Sequence, residues 1–303
     1  MSVLVDIIGD IHGHADALER LLQLLGYRRR AGIYEHPKGR TAVFVGDFID
    51  RGPRIRETLH IVKDMCDSGQ ATAVMGNHEF NAICFHTPHS ERGGFFRDHS
   101  WKEINQHMAT MEQFRYYRAE WDCFTEWFGT LPLWIDEENY RVIHACWDQE
   151  HIDYLMAHYE GMDPNFLAKA TDHQGMPPEF HAVEELLKGK EERLPEGFSF
   201  RDKDGVQRYE CRTRWWTSRF ERETYGDYLM ECPEQLYSQT LPEASRGGFQ
   251  YEDSKPVFFG HYWMKGVPEL TSPNAICLDF SVAKGGYLAA YSLDTRQLSW
   301  VCV

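Results

Sequence analysis

Five short apolar runs in this chain are each directly followed by a short polar turn that contains Asp, Asn or His. Each of these turns is called a corner below. The runs end at Ile8, Val45, Met75, Ile143 and Phe259. Runs of this length, bounded by turn residues, are typical of buried strands. Because open α/β sheets carry their functional side chains beyond the carboxyl ends of the strands, we expect these polar residues to meet at one rim of a sheet.

The polar residues at these corners are candidate metal ligands. Two divalent cations about 3.5–4 Å apart can clamp both the attacking and the leaving oxygen of a phosphoryl displacement. The assigned ligands are Asp47 as a bridge, Asp10 and His12 on one metal, and Asn77, His144 and His261 on the other. Imidazole, carboxylate and carboxamide donors without a thiolate suit intermediate metals. We therefore expect two divalent ions, with manganese first and iron or zinc as alternatives.

Glycine stands directly before four of these residues, namely Asp10, Asp47, Asn77 and His261. Glycine suits tight turns in which the backbone approaches a metal or a phosphate without interference from a Cβ atom. A single Asp-x-His or Gly-His pair would carry little weight, since satisfied Asp and His side chains are common at protein surfaces. Five such corners in order favour a functional cluster over a set of unrelated surface turns.

Three longer motifs extend the first three corners. They read Gly-Asp-x-His-Gly at residues 9–13, Gly-Asp-x-x-Asp-Arg-Gly at residues 46–52 and Gly-Asn-His-Glu at residues 76–79. With these motifs the chain resembles the calcineurin-like metallophosphoesterases, and specifically their phosphoprotein phosphatase branch. The resemblance implies an α/β fold in which two mixed β-sheets form a sandwich flanked by helices, with a cap-like insertion.

The later part of the chain resembles the bacterial diadenosine tetraphosphatases more loosely. Residues 257–263, 277–280 and 285–288 carry this likeness. His144 is followed by Ala-Cys where the family usually has Gly-Gly, and Asp279 by Phe-Ser where it has Thr-Gly. Trp263 stands where many wider relatives carry a second histidine, which favours the phosphoprotein phosphatase arrangement.

Three residues within the motifs are expected to act on the substrate. The predicted nucleophile is a hydroxide that bridges the two metals, since each cation lowers the pKa of bound water. His78, beside Asn77, is the predicted general acid, and Asp50 would orient its imidazole ring. Arg51 is the predicted phosphate clamp, because a guanidinium can grip two phosphoryl oxygens.

A second phosphate clamp is expected from an arginine between the two late histidine corners. Arg212, Arg214 and Arg246 all lie in that interval. We choose Arg214 as a catalytic and substrate-binding residue, because residues 212–216 resemble the Thr-Arg-x-Arg stretch of the diadenosine tetraphosphatases. Arg246 is the rival.

Motifs at both ends of the chain must meet at one site, and this predicts the domain organisation. Residues 1–150 and 256–303 are expected to share the catalytic core, with crossover helices after the first two corners and antiparallel strands of the second sheet after Ala275. Residues 151–255 are expected to form an insertion or cap subdomain. Trp215 and Trp216 in this segment are candidate substrate-binding residues, because flat rings can stack on a nucleobase. Packing inside the cap is the alternative.

Composition limits the partners and the location of the protein. The chain has 47 acidic and 32 basic residues and a formal net charge of -15, which disfavours long polyanions such as nucleic acid. A phosphorylated peptide or a small nucleotide is still suitable as a substrate. The chain shows neither a leader sequence nor an apolar run long enough to span a bilayer, and its eight cysteines form no C-x-x-C pair. We therefore expect no membrane partner and a cytoplasmic location.

The predicted function is hydrolysis of a phosphoester by a dinuclear metal site. The predicted substrate is a phosphomonoester such as phosphoserine or phosphothreonine. Diadenosine tetraphosphate or another nucleotide polyphosphate is the alternative substrate. A catalytically silent protein that binds metal or phosphate is a second alternative, which the intact motifs disfavour.

Overall fold

The chain alternates short strands and helices along its length. The computed structural model describes residues 4–201, 205–243 and 248–303. The strands in these ranges are β1 (Val5–Ile8), β2 (Arg28–Arg30), β3 (Ile33–Glu35), β4 (Thr41–Phe44), β5 (Ala71–Ala73), β6 (Trp134–Asp136), β7 (Arg141–Ile143), β8 (Glu191–Arg193), β9 (Phe200–Arg201), β10 (Gln207–Arg208), β11 (Glu210–Arg212), β12 (Val257–Phe259), β13 (Ala275–Cys277), β14 (Asp279–Phe280), β15 (Tyr287–Ser292) and β16 (Gln297–Cys302). The α-helices are α1 (Ala15–Leu24), α2 (Ile55–Asp67), α3 (Asn77–His86), α4 (Trp101–Phe114), α5 (Arg118–Phe128), α6 (Gln149–His158), α7 (Pro164–Ala170), α8 (Pro178–Lys188), α9 (Tyr225–Tyr228) and α10 (Glu234–Tyr237), and short 3-10 helices span Arg219–Glu221 and Val282–Lys284.

Two crossover helices set the direction of the strands in the first sheet. This sheet has the order β14-β15-β1-β4-β5, with β16 paired to β15. β1 pairs in parallel with β4, and β4 in parallel with β5. The helix α1 joins the first pair and buries Leu18, Leu21 and Leu22 on one face, as apolar residues at helical spacing require. The two predicted β-α-β units are therefore confirmed.

The second sheet has the order β13-β12-β7-β6. β12 runs parallel to both β7 and β13, whereas β6 is antiparallel to β7. The prediction that all strands after Ala275 belong to this sheet is wrong, because β14, β15 and β16 lie in the first sheet. The chain changes sheets at Leu278, which still donates its backbone N–H to Phe259 O, whereas Asp279 already pairs with Leu288 of β15.

Alternate residues of the central strands face two different cores. Ile7 of β1 and Val43 of β4 lie in a cluster between the sheets, together with Phe258 of the second sheet. Ile8 and Phe44 point to the opposite face and pack in the larger cluster that includes the helices. This alternation follows from the two-residue period of a strand. Two mixed sheets packed face to face, with helices on the outside, confirm the predicted fold class.

The segment 151–255 packs partly on its own residues and partly on the rest of the protein. A small apolar cluster holds Leu194, Tyr228 and Leu236 together. Other residues of the segment, such as Val183 and Trp215, belong to the main core. The division of the chain into a core and a cap stays a prediction.

Among the described helices, none combines the length and the apolar character needed to cross a membrane. All eight cysteines are free thiols.

Candidate active site

The five polar corners meet at one end of the two sheets. The loops that follow β1, β4, β5, β7 and β12 carry the six predicted metal ligands, and parallel pairing places these strand ends on the same side. The ligand side chains are all buried; they are Asp10, His12, Asp47, Asn77, His144 and His261. The structure therefore brings together every ligand that the sequence predicts.

Asp47 lies between two groups of potential ligand atoms. One group contains His12, Asp47 and His78, and the other contains Asp47, His144 and His261; within each group the ligand atoms lie within 4.8 Å of one another. The carboxylate oxygens of Asp47 lie 3.5 Å from His12 Nε2 and 3.4 Å from His144 Nε2. A carboxylate shared by two ligand groups is the arrangement expected of a bridging ligand.

Asn77 and Asp10 complete the cluster. Asn77 Oδ1 lies 3.0 Å from His144 Nε2 and 2.8 Å from His261 Nδ1. Asp10 Oδ2 accepts a hydrogen bond of 3.0 Å from the backbone N–H of His261. The first and the last corner of the chain are therefore joined directly at the site.

Backbone carbonyls fix the ring orientation of two histidines. Nδ1 of His12 donates to Ile49 O at 3.0 Å, and Nδ1 of His144 donates to Val45 O at 2.7 Å. A carbonyl oxygen only accepts, so each ring carries a proton on Nδ1. Burial acts to lower the pKa of His144, but Asp47 outweighs it and raises this pKa to about 10, so a metal ion would displace a second proton from Nε2 of that ring. Nε2 of each ring is then free to act as a metal ligand, as is usual when the other nitrogen is held by hydrogen bonding.

Several polar atoms at the centre of the cluster are buried without a hydrogen-bond partner. They include Asp10 Oδ1, His12 Nε2 and His261 Nε2. Leaving buried polar atoms unpaired is costly, whereas a bound cation would satisfy them. Burial also lowers the pKa of His12 to about 3, so this ring is neutral, as a ligand must be. The residues therefore fit divalent metal ions.

We expect a chelator to lower the midpoint of thermal unfolding. An ion that binds only the folded state stabilises it by about 2.7 kcal/mol at a concentration 100 times its Kd. For a chain of 303 residues the entropy of unfolding is about 0.6 kcal/mol per kelvin, so each bound ion corresponds to a shift of about 4 °C. Differential scanning fluorimetry with manganese and then with excess chelator measures the change. The Asp47→Asn variant is the control, and a full metal-dependent shift in that variant would contradict the bridging role of Asp47.

Two buried carboxylates hold the corner loops in place. Glu79 accepts hydrogen bonds from the backbone N–H groups of Asp47 (2.8 Å), Phe48 (2.8 Å) and Gly76 (3.1 Å). Asp279 accepts from the backbone N–H of Trp263 at 2.7 Å. Glu79 thus links the second corner to the third, and Asp279 fixes the backbone that follows His261.

The predicted acid His78 forms a close pair with Asp50. Nδ1 of His78 lies 2.5 Å from Asp50 Oδ2, and Arg51 Nη2 lies 3.3 Å from His78 Nε2. Burial acts to raise the pKa of Asp50, but His107 and His78 outweigh it and hold the pKa well below its usual range. An ionised Asp50 accepts from Nδ1–H and leaves Nε2 of His78 facing Arg51.

Trp263 is a site residue that the sequence reasoning did not select. Its ring stacks on His12 with 5.6 Å between centroids. Arg51 Cζ lies 4.3 Å and Lys284 Nζ lies 4.1 Å from the tryptophan ring. The signal in the sequence was the tryptophan at the place of a histidine in many relatives. Trp263 therefore contacts two cationic side chains beside the predicted metal ligands.

Trp215 and Trp216 lie in the protein interior. They are 0% and 4% exposed, and Nε1 of Trp215 donates to Ala145 O at 3.1 Å. Trp216 packs on Phe259 and Tyr262, on either side of the His261 corner. This corrects the expectation that the two rings form a stacking surface for a nucleobase, because neither ring has a free face. The alternative, packing in the interior, describes both residues.

We expect Trp215→Ala to destabilise the protein by about 3–5 kcal/mol, the usual cost of removing a large buried aromatic side chain. Urea unfolding followed by circular dichroism measures the change. Phe220→Ala is the matched control, because this aromatic residue of the same segment is 82% exposed and its removal should change stability by less than about 0.5 kcal/mol. Equal losses in the two variants would contradict the structural role of Trp215.

The two described candidates for the second arginine differ in their surroundings. Arg212 is, after burial, the strongest influence that lowers the pKa of His261, so its charge acts on the metal-ligand cluster. The charge of Arg214 acts on Asp227 instead and helps to lower the pKa of that carboxyl. Arg246 lies outside the described residues.

A sandwich of two mixed sheets with a cluster of Asp, Asn and His side chains at one rim is the arrangement expected of a metallophosphoesterase. Residues 3–193 match the sequence profile of the calcineurin-like phosphoesterase family. The chain belongs to this family, which confirms the class of enzyme predicted from its motifs.

Curated relatives of the chain carry a common name. A bis(5'-nucleosyl)-tetraphosphatase PrpE (asymmetrical) from Oceanobacillus iheyensis is 43% identical over 146 residues, which cover 46% of this chain and 54% of the relative. The protein of the same name from Halalkalibacterium halodurans is 48% identical over 73 residues, which cover 24% of this chain and 30% of the relative. The chain thus spans about a third to a half of the length of the curated relatives it matches.

Two solved structures share the fold. A putative diadenosine tetraphosphatase aligns with a TM-score of 0.50 and 18% identity over 98% of this chain and 92% of its own. A protein serine/threonine phosphatase from Saccharomyces cerevisiae aligns with a TM-score of 0.51 and 14% identity over 98% of this chain and 78% of its own. At these identities the two structures show the fold and do not distinguish between substrates.

Proposed function

We propose that this protein hydrolyses a phosphoanhydride bond of a dinucleoside polyphosphate, such as diadenosine tetraphosphate, with two divalent metal ions at the Asp47 cluster. The observation that carries the reaction class is the pair of ligand groups that share Asp47. The proposed substrate is supported by the name of the relatives that are 43% and 48% identical to parts of this chain. This choice favours the alternative substrate of the sequence prediction over the phosphomonoester.

When bound, the metal ions would supply Lewis acidity and an activated water at neutral pH. The proposed ligands are Asp10, His12, Asp47, Asn77, His144 and His261. Their neutral or anionic donor atoms suit manganese first, and iron or zinc otherwise.

Arg51 and His78 act on the phosphoryl group in this proposal. Arg51 is exposed and presents a guanidinium to two phosphoryl oxygens. In the structure it faces Nε2 of His78 at 3.3 Å, and a guanidinium only donates, so Nε2 must accept in this contact. When the Arg51 guanidinium binds a phosphoryl oxygen instead, Nε2 of His78 is released from its contact with Arg51. Nε2 then takes up a proton from solvent, and the doubly protonated ring donates this proton to the leaving oxygen while Asp50 accepts from Nδ1–H.

The second arginine is proposed to be Arg212 instead of Arg214. Support comes from the charge of Arg212, which after burial is the strongest influence that lowers the pKa of His261, whereas the charge of Arg214 acts on Asp227. The Arg212→Ala variant should then weaken substrate binding more than Arg214→Ala. Values of KM for both variants provide the comparison.

The cationic surface around Trp263 supports a substrate with several phosphoryl groups. Arg51 Cζ lies 4.3 Å and Lys284 Nζ lies 4.1 Å from this indole ring, whose centroid is 5.6 Å from that of the proposed ligand His12. In a chain with a net charge of -15, such a local positive region attracts an anion to the site. A second phosphoryl group next to the reacting one would find Lys284 there.

Hydrolysis of a phosphoserine or phosphothreonine ester would use the same residues and is the competing outcome. The test compares release of product from diadenosine tetraphosphate and release of phosphate from a phosphoserine peptide by manganese-loaded protein. We expect the larger kcat/KM for the dinucleotide, and we expect Lys284→Ala to reduce it for the dinucleotide more than for the peptide. A preference for the peptide would overturn the proposed substrate. Hydrolysis of neither compound by metal-loaded protein would support the silent metal-binding alternative.

A small nucleotide is the proposed substrate, without a nucleic-acid or membrane partner. A cytoplasmic location suits a substrate of this kind, and localisation of a tagged protein tests it.

A further inference from the structure

The carboxylate of Asp50 is held from two sides by different parts of the chain. Oδ2 meets His78 Nδ1 at 2.5 Å, within the motif region. Oδ1 lies 2.8 Å from His107 Nδ1 and accepts a hydrogen bond of 2.5 Å from Thr110 Oγ1. Both residues on the Oδ1 side come from α4, which lies outside the three motifs.

The same helix also fixes the backbone of Asp50. The backbone N–H of Asp50 donates to Thr110 Oγ1 at 3.0 Å. Asp50 and Arg51 have φ angles of 65° and 70°, in the left-handed region that non-glycine residues adopt only when the surrounding structure enforces it. Thr110 therefore binds both the strained backbone and the carboxylate of the residue that orients the proposed acid.

His107 has little freedom to serve another purpose. It is 5% exposed, and its second ring nitrogen, Nε2, lies 3.1 Å from His86 Nε2. The carboxylate can only accept, so Nδ1 of His107 carries the proton and donates to Asp50. Each hydrogen bond to an ionised carboxylate is stronger than a neutral one.

We propose that His107 and Thr110 are positioning residues for the acid pair. By occupying Oδ1 they fix the rotation of the Asp50 carboxylate, so that Oδ2 faces Nδ1 of His78. Without them the terminal torsion of an aspartate is broad and nearly two-fold, and the direction of the His78 ring is no longer fixed. This inference rests on the proposed function, in which His78 is the proton donor.

Thr110→Val tests the proposal because valine has nearly the shape of threonine and lacks the hydroxyl. We expect kcat for diadenosine tetraphosphate to fall about tenfold, within the roughly 10–100-fold range seen when partners that orient functional residues are removed. KM and metal content should stay the same. Thr110→Ser keeps the hydroxyl and should restore kcat. His107→Asn keeps a donor near the position of Nδ1 and should retain more activity than His107→Leu.

A double-mutant cycle separates positioning from general damage. In the His78→Asn background, Thr110→Val should cause no further loss, because residues that act through a common partner are not additive. A tenfold loss in that background as well would overturn the proposal. An unchanged kcat in Thr110→Val alone would also overturn it.

A measurement that needs no turnover distinguishes failure of this inference from failure of the proposed function. In zinc-loaded protein, the proton between His78 Nδ1 and Asp50 should give a downfield proton resonance that disappears in His78→Asn. We expect Thr110→Val and His107→Leu to move this resonance upfield or broaden it, and Thr110→Ser to leave it in place. If wild-type protein hydrolyses nothing but the resonance responds in this way, the positioning role holds and the proposed reaction fails. A resonance unaffected by Thr110→Val overturns the positioning role whatever the activity.

Discussion

The His78→Asn variant is expected to lose about 10²- to 10⁴-fold in kcat while it keeps its metal ions. A positioned general acid contributes roughly this factor. Asparagine has an amide near the position of Nδ1 and can still donate to Asp50 Oδ2, which the histidine approaches at 2.5 Å. It has no group at the position of Nε2 and no proton to transfer. Steady-state kinetics and metal analysis by mass spectrometry measure the two quantities.

His158→Asn serves as the control for this substitution. His158 is exposed at the end of α6, and its ring contacts Tyr154 O in its own helix. This variant should retain the kcat of the wild type. Full activity in His78→Asn would remove the acid role, and loss of bound metal in that variant would instead make His78 a ligand.

Gly260→Ala is expected to disrupt the metal centre through a single methyl group. A Cβ atom at residue 260 would lie 1.8 Å from Asp10 Oδ1 and 3.0 Å from Val45 Cγ2. Asp10 is buried and its other oxygen accepts from the backbone N–H of His261, so the carboxylate cannot move away without disturbing this hydrogen bond. We expect less than two equivalents of bound metal and a stability loss of about 1–3 kcal/mol, as for other overpacked sites.

Metal titration by calorimetry and urea unfolding test this expectation. Gly129→Ala is the matched control, because Gly129 has a helical φ of -61° and a Cβ there would approach nothing closer than Glu126 O at 3.3 Å. This control should bind metal like the wild type. Two full equivalents of metal in Gly260→Ala at wild-type affinity would mean that Asp10 does not serve as a ligand in its present position.

The strand-to-loop corners were predictable because their signal is local. An apolar run, a glycine and a polar residue stand next to one another in the sequence, and parallel pairing then brings Asp10, Asp47 and Asn77 to the same rim. The orientation of His78 by Asp50 also followed from motifs only a few tens of residues apart. The structure supports these assignments by placing the residues in contact.

Residues whose surroundings come from distant segments were not predictable in the same way. Trp215 has the flat ring of a residue that could stack on a base. Only its contacts with Phe259 and Ala145 show that it lies in the interior. His107 contacts Asp50 across 57 positions of sequence, and no local sequence pattern in α4 predicts this contact. The assignment of the last strands failed for a related reason, since sheet membership depends on which distant edge is free to pair.

The position of β1 has a consequence for the order in which the protein is made. β1 lies between β4, which follows early in the chain, and β15, which comes near its end. The Ser292 hydroxyl donates to Asp6 Oδ1 across 286 positions, and His261 joins Asp10 across 251. Contacts of such high sequence separation form late and slow folding. A chain still being translated therefore has the first three motifs but lacks the strand that pairs with the free edge of β1, and it lacks the proposed ligand His261 until the residues after β12 have been made.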